Sequence, residues 1–131
     1  MCCPCYLLGM AEFESYIRGW HQRWRERRRV DAVAARRARR IAERLAELLR
    51  DHYGARRVVL VGSLARGDFS VGSDIDFAAE GIPDEAFFRA GAEIEAAAEG
   101  LHVDLVPIES ADPAFLAHMS AEGIVLHDAS R

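Results

Sequence analysis

The segment from residue 57 to residue 78 constrains the fold of this chain more than any other. Residues 57–61 (RVVLV) are apolar and β-branched, which is typical of a buried strand. Gly62 and Ser63 end this run, and ten residues rich in glycine and serine follow. Residues 74–78 (DIDFA) then alternate polar and apolar side chains, which predicts a second strand. The segment therefore predicts two strands, joined by a loop that begins with a glycine turn and holds at most one turn of helix.

The remaining elements alternate between helix and strand. Each is bounded by proline, glycine or a capping aspartate, and together they are a helix over residues 84–99, a strand over 102–106, a short helix over 113–122 and a strand over 124–127. Short crossovers between such elements favour a mixed sheet with helices packed on it. We therefore predict an α/β fold of the α+β type, with a mixed β-sheet of about four strands.

A long basic helical segment is predicted before this sheet. From residue 12 to about residue 52 only Gly19 disfavours a helix, and apolar residues recur every three or four positions. Asp31 is a candidate N-cap, so the residues before it are expected to form a separate or kinked helix. We divide the chain into an N-terminal tail with a basic helical arm, residues 1–29, and a single domain, residues 30–131.

Charge is split unevenly along the chain. The formal net charge is −4, but residues 1–57 carry 14 arginines against 7 acids and residues 58–131 carry 3 against 14. All 17 basic residues are arginine, which excludes a lysine nucleophile and a Walker A phosphate loop. Trp20 and Trp24 lie among the arginines, an arrangement that could bind RNA by stacking and charge. The acidic net charge argues against nucleic acid as the main ligand, so we favour a surface that contacts the domain or a partner.

The N-terminus indicates neither secretion nor membrane insertion. No apolar stretch approaches the ~20 residues that span a bilayer, and no basic region precedes a signal-like apolar core. The three cysteines lie at positions 2, 3 and 5 with no later cysteine, which favours reduced thiols over a metal site. We expect a cytoplasmic protein without membrane contact. Met10 is an alternative start, and residues 1–9 are expected to be frayed.

Three aspartates are the candidate catalytic and metal-binding residues. Alternation places Asp74 and Asp76 on one strand face, about 7 Å apart. Asp104 lies mid-strand with the same pattern, so the three carboxylates would converge if the two strands are neighbours. A cation would relieve their mutual repulsion, and oxygen ligands suit Mg²⁺. Two ions could clamp the attacking and leaving oxygens of an in-line displacement.

Four further residues are candidates for binding a nucleotide phosphate. Gly62 has no Cβ and lets the backbone approach an anion closely. Ser63 offers a hydroxyl and a backbone N–H at the start of the predicted helical turn. Arg66 either adds positive charge at the phosphates or pairs with a nearby aspartate. Ser73 either fixes the loop or donates to a carboxylate.

This combination resembles the DNA polymerase β-like nucleotidyltransferase superfamily, and over about residues 30–128 it is similar to the minimal nucleotidyltransferases, which are often partnered with helical HEPN proteins. The resemblance implies that Asp74 and Asp76 bind both metal ions and that Asp104 completes the metal site nearer the attacking group. It also implies that the Gly62-Ser63 turn holds the nucleotide phosphates.

This sequence departs from the family pattern at one position, and one of its segments has no counterpart in the family. Arg66 and Gly67 match the Arg-Gly pair that follows the turn in the family, but Leu64 stands where the family commonly has arginine. One phosphate contact is therefore missing, which bears on the identity of the substrate. The basic segment 12–29 has no counterpart in the resemblance.

The resemblance implies a Mg²⁺-dependent enzyme that transfers a nucleoside monophosphate, AMP from ATP, to a hydroxyl. The acceptor would be a HEPN-type partner protein, and the chain would act as an antitoxin by silencing it. Two alternatives are an aminoglycoside-type transferase for small molecules, which normally needs a longer chain, and a binding-only antitoxin, which would not need the aspartates. A homo-oligomer is also left open, because one domain of this size offers no second wall for an acceptor pocket.

Overall fold

The predicted fold class is confirmed. The computed structural model describes residues 3–130 and their side chains from residue 11 onward. Its elements are α1 (Cys3–Tyr53), β1 (Arg57–Val61), α2 (Gly62–Arg66), β2 (Ile75–Glu80), α3 (Asp84–Ala96), β3 (Val103–Pro107), a 3₁₀ turn (Ile108–Ser110), α4 (Pro113–Glu122) and β4 (Ile124–Asp128). The strands form one mixed sheet in the order β3-β2-β1-β4, in which β1 is antiparallel to β2 and β4 while β2 and β3 are parallel.

The two faces of the sheet are covered differently. On one face, α1 and α3 pack against alternate strand residues and form the main core, which includes Ile41, Leu45, Leu60, Phe77 and Ile94. The opposite face carries a much smaller cluster of Val59, Val61, Ala78 and Met119, the last from α4. Because successive strand residues point to opposite faces, positions 74, 76 and 104 belong to this less covered face.

Helix α1 is continuous, so the predicted break near Asp31 is wrong. The Asp31 side chain does not cap its own helix; its Oδ1 accepts a hydrogen bond from the backbone N–H of Val71 at 3.0 Å. Since no proline or glycine occupies this stretch, nothing interrupts the helical hydrogen bonds there.

Helix α3 ends three residues earlier than the pattern predicts. Glu99 adopts a positive φ of 55°, which an α-helix cannot contain. Two arginines of α1 hold it there: Arg37 donates to the Glu99 carbonyl at 3.1 Å, and Arg44 pairs with the Glu99 carboxylate. Contacts between distant parts of the chain therefore fix this helix end.

Several predictions about the N-terminus stay predictions. Met1 and Cys2 lie outside the described residues, as do the side chains of residues 3–10, so the state of the cysteines and the fraying of residues 1–9 are not addressed by the structure. The division between arm and domain at residue 30 likewise stays a prediction. Across residues 3–130, no helix is both long and apolar enough to cross a membrane.

Candidate active site

Asp76 and Asp104 lie side by side in the sheet. The parallel ladder between β2 and β3 makes them direct Cα partners. Ile75 and Phe77, on either side of Asp76, are fully buried in the main core. Asp76 therefore points to the opposite face, where its side chain is partly buried and that of Asp104 is exposed. When Asp76 is protonated, Asp104 serves as its hydrogen-bond acceptor.

Asp74 takes part less directly than the sequence pattern predicts. It precedes the first residue pair of the ladder, Ile75 with Val103, and its side chain is exposed. Its charge acts on Asp76 through space, without a hydrogen bond. Among the side chains of residues 11–130, no three from His, Cys, Asp or Glu are close enough together to hold a metal ion. The structure thus brings two of the three aspartates together and leaves the third beside them.

The proximity of like charges changes the acidity of Asp76. Burial raises its pKa, the charges of Asp104 and Asp74 raise it further, and so does the hydrogen bond to Asp104. The positive charge of Arg66 opposes these effects, and the resulting pKa of Asp76 is about 6. A carboxyl group in such surroundings favours its neutral form unless a cation compensates the charge.

Gly62 makes room for the Asp76 side chain. Its φ of +76° lies in the left-handed region, and a Cβ built on it would overlap the Oδ2 atom of Asp76. This contact follows from the register of the sheet, in which Val61 is the partner of Asp76. The sequence pattern assigned Gly62 to close approach of a phosphate, but in the structure the group that approaches it is the carboxylate.

Ser63 and Arg66 lie at opposite ends of α2. The Ser63 carbonyl accepts hydrogen bonds from the N–H groups of Gly67 at 3.0 Å and Asp68 at 3.1 Å, which close the helix. The Arg66 guanidinium lies 3.4 Å from the carboxylate of Asp68 and 3.8 Å from that of Glu122. Exposed ion pairs of this kind contribute about 0–1 kcal/mol, so they would cost little to exchange for a bound anion.

Ser73 fixes the loop that leads to Asp74. Its Oγ accepts a hydrogen bond from the Ser70 N–H at 3.1 Å, and its own N–H donates to the Ser70 carbonyl at 3.0 Å. The bond between Asp31 and Val71 ties the same loop to α1, and Phe69 is buried in the main core. Of the two roles considered for Ser73, the structure shows the loop contact.

Two residues that shape the site were missed or left unexplained by the pattern. Asp31 reads as a helix cap, and nothing local in the sequence indicates that it binds a loop 40 residues away. Leu64, where the resemblance expects arginine, is buried in the main core. Position 64 therefore packs inward here, and an apolar residue suits it.

The donor groups at the site fit a hard divalent cation in kind. They are carboxylate oxygens, which such cations prefer, and they lie on the less covered face of the sheet. Among the described residues that change the pKa of Asp76, Arg66 alone carries a positive charge that offsets their repulsion. Asp76 and Asp104 would hold the ion in common. Asp74 would join them only after its exposed side chain turned toward the pair.

We expect Gly62→Ala to destabilise the protein more than Gly67→Ala. Both glycines have positive φ, +76° and +92°, so both substitutions impose a left-handed backbone on alanine. Only at Gly62 would the new Cβ meet the Asp76 carboxylate; at Gly67 nothing lies within 4 Å. The excess loss in free energy of unfolding, measured with urea, should be about 1–3 kcal/mol. Equal losses in the two variants would show that the contact with Asp76 is not tight.

Asp76→Asn should stabilise the metal-free protein at pH 8 but not at pH 4. Asparagine keeps a hydrogen-bond donor for Asp104 and cannot ionise. Between the ordinary carboxyl pKa of 3.8 and the folded value of about 6, the unfolded wild type loses its proton while the folded form retains it, so its stability falls as pH rises through this window.

The variant lacks this fall in stability. In urea titrations with EDTA, its advantage in free energy of unfolding should grow between pH 4 and 6.5 and then level off at about 1–2 kcal/mol, solvent screening included. Asp104→Asn should reduce the pH dependence in part, because it removes one of the charges that raise the pKa of Asp76. A difference independent of pH would contradict the assignment.

A known protein family and several solved structures are similar to this chain. The model of the nucleotidyltransferase domain family matches residues 39–126, more than half of the chain. A crystal structure of a toxin–antitoxin with AMP-PNP superposes with a TM-score of 0.59 at 26% identity, over 66% of this chain and 73% of that chain. No curated protein matches the sequence.

Two further solved structures share the fold. One is a tri-AMPylated Shewanella oneidensis HEPN toxin in complex with MNT antitoxin, with a TM-score of 0.56 at 22% identity over 71% of this chain and 74% of that chain. The other is the MntA–HepT toxin–antitoxin, with a TM-score of 0.56 at 22% identity over 70% and 74%. The resemblance drawn from the sequence is confirmed: the chain belongs to the nucleotidyltransferase domain family.

Proposed function

We propose that this chain is a metal-dependent nucleotidyltransferase that moves AMP from ATP to a hydroxyl of a HEPN-type partner protein and thereby acts as an antitoxin. The observation that carries the proposal is the pairing of Asp76 with Asp104 next to the Gly62-Ser63 turn. Membership of the nucleotidyltransferase family supports the reaction class.

The metal would be Mg²⁺, one or two ions, held by Asp76 and Asp104 and by Asp74 once it turns inward. When bound, Mg²⁺ supplies positive charge that keeps the carboxylates ionised and offsets the charge developing on the transferred phosphate. Asp76, which is partly buried, would hold the metal from the side of the sheet. Asp104, being exposed, lies where an acceptor from outside can approach it.

The nucleotide phosphates would lie against the start of α2. Ser63 lies in the first turn of α2, and Val61, which precedes the helix, is apolar and offers the first N–H groups of the helix no side-chain acceptor. Arg66 would exchange its ion pairs with Asp68 and Glu122 for the phosphates. In the reaction, the acceptor oxygen bonds to the α-phosphorus, the bond from that phosphorus to the β-phosphate oxygen breaks, pyrophosphate leaves with the electron pair, and the hydroxyl proton passes to water.

The donor and the acceptor are supported by the solved structures. The structure that superposes at 26% identity contains AMP-PNP, an analogue of ATP. The Shewanella oneidensis complex pairs an MNT antitoxin with an AMPylated HEPN toxin, and it shares this fold. A partner that brings its own hydroxyl would also supply the pocket wall that a domain of this size lacks.

We expect label to pass from [α-³²P]ATP, but not from [γ-³²P]ATP, to a HEPN protein encoded beside this chain. Asp76→Asn and Asp104→Asn should each lower the rate at least ~100-fold, since each removes a charge at the site of transfer. The matched control is Asp84→Asn, because Asp84 lies in the first turn of α3, which covers the opposite face of the sheet.

The outcomes separate the candidate functions. Binding of the HEPN protein without transfer of label would favour the binding-only antitoxin. Label on a small hydroxyl compound but not on the protein would favour the small-molecule transferase. Label transferred equally well by the Asp104→Asn variant would contradict the proposed site.

We expect Mg²⁺ to raise the melting temperature in a concentration-dependent way, because it binds only the folded arrangement of carboxylates. Asp76→Asn should abolish the shift, and Asp74→Asn should reduce it. Asp84→Asn should leave it unchanged. A full shift in the Asp76→Asn protein would place the binding site elsewhere.

A further inference from the structure

The first part of α1 exposes a set of large apolar side chains. This arm, residues 12–29, carries Phe13, Tyr16, Trp20 and Trp24, whose exposed fractions are 64%, 63%, 47% and 45%. Trp20 and Trp24 stack on each other with ring centroids 6.4 Å apart, and the Arg28 guanidinium lies 4.8 Å from the centre of the Trp24 ring. Contiguous exposed apolar surface of this kind marks an interaction site on a protein surface.

The exposed stripe continues the face of α1 that packs on the sheet. Trp20 and Ala38 are 18 residues apart, as are Trp24 and Ala42, and 18 residues are five turns of an α-helix. Ala38 and Ala42 are completely buried against the sheet. Apolar residues therefore occupy one face of the helix in two stretches, covered in its second half and open in the arm, with Arg27 and Asp31 on the same face between them. The regular spacing of the first stretch indicates that the arm, too, packs against something.

Four apolar positions of the arm are symmetric under reversal of the helix direction, although Tyr16 lies outside this set and would stand level with His21 of a second copy. Phe13, Ile17, Trp20 and Trp24 are spaced by four, three and four residues, so the midpoint falls between Arg18 and Gly19. If a second copy packs antiparallel about this point, Phe13 lies level with Trp24 of the other chain and Ile17 with its Trp20. Spacing that alternates between three and four residues is the pattern by which two helices pack along a shared seam.

The charges of the arm favour the same arrangement. Its first turn carries Glu12 and Glu14, and its last part carries Arg23, Arg25 and the arginines 27–29 with a single acid, Glu26. Parallel packing would set arginines against arginines and glutamates against glutamates. Antiparallel packing sets each acidic end against a basic end, and it also opposes the two helix dipoles favourably.

The geometry also leaves room for two domains. The packed domain begins near residue 31, about 12 residues from the midpoint, so the two domains would lie at opposite ends of the paired arms, about 38 Å apart along the axis. At the base of each arm, Val30 and Val71 line a groove together with the polar residues Arg27, Asp31 and Ser70. Val71 is 66% exposed there. The end of the second helix would cover this groove.

We infer that the arm is a self-association surface, through which two copies of this chain pair their α1 helices antiparallel. The inference does not depend on the proposed transferase function. An alternative occupant, single-stranded nucleic acid stacking on Trp20 and Trp24, would use the arginines but not the two glutamates or the reversal symmetry of the stripe. The observations therefore favour a second copy.

Tryptophan fluorescence reports on the arm alone, because the chain has only two tryptophans and both lie in it. In reducing buffer, sedimentation velocity should show a monomer passing to a dimer as concentration rises into the micromolar range, and tryptophan emission should shift to shorter wavelength over the same range. Trp20→Glu should weaken dimerisation at least tenfold, about 1.4 kcal/mol. Phe88→Glu, at a side chain of α3 that is 89% exposed, is the matched control and should change nothing.

A charge exchange tests the orientation. Glu12→Arg with Glu14→Arg should weaken self-association at least tenfold, as should Arg23→Glu with Arg25→Glu in another variant. Mixed in equal amounts, the two double variants should form a heterodimer at the wild-type concentration, because opposite charges then face each other at both ends. The loss in each variant alone reports the orientation, since in a parallel pair like charges already face each other and the exchange would add no repulsion. Circular dichroism melts should show that each variant folds, since the substituted side chains are exposed.

Three results would overturn the inference. The first is a protein that stays monomeric at 200 µM with constant tryptophan emission. The second is dimerisation that Trp20→Glu leaves unchanged. The third is a mixture of the charge variants that fails to associate while the wild type does. A shift in tryptophan emission that appears only on addition of oligonucleotide would assign the arm to nucleic acid instead.

Discussion

The parallel ladder between β2 and β3 sets Asp76 beside Asp104, and the rest of the site depends on this placement. Burying the Asp76 carboxyl group and holding that of Asp104 beside it costs free energy, and the cost appears in the raised pKa of Asp76. The main core imposes this placement, because Ile75 and Phe77 are fully buried and so turn the Asp76 side chain to the opposite face. Gly62 makes room for the Asp76 carboxylate, because it has no Cβ to overlap it. A site destabilised in this way is suited to a cation, since binding would recover part of the cost.

The sequence predicts the strands of this sheet well because each has a local signature. Alternation of side chains shows that positions 74, 76 and 104 share a face, and β-branched residues mark β1 as buried. Alternation does not show where a ladder begins, so it places Asp74 and Asp76 alike, although only Asp76 has a cross-strand partner. The predicted helix cap at Asp31 and the predicted helical conformation of Glu99 are wrong for a related reason. Asp31 contacts Val71, and Glu99 contacts two arginines of α1, and these partners lie 40 to 62 residues away along the chain. No local rule anticipates such contacts.

The substitution of leucine for arginine at position 64 shows how core and site compete for the same short helix. In five residues α2 must start at the end of a buried strand, present Ser63 and Arg66 outward and anchor itself to the core. Leu64 supplies the anchor by packing against the main cluster. An arginine there would have to leave the core or carry its charge along its edge. Leu64 thus fixes the turn through the core, and Arg66 is the one cation of this helix.

Helix α1 belongs to the basic N-terminal part of the chain and packs on the acidic part that follows it. Its second half covers an acidic domain, and its first half extends the same apolar face beyond that domain among arginines. The Asp31 carboxylate stands at the boundary and holds the backbone of Val71, in the loop that runs on to Asp74. Whatever covers the arm therefore also approaches the loop that sets the position of the third aspartate. Because α1 has no break, a second copy paired with the arm would stand in a set orientation to the domain. Under the proposed function, an acceptor would then have to approach Asp104 within the space that the paired chains leave.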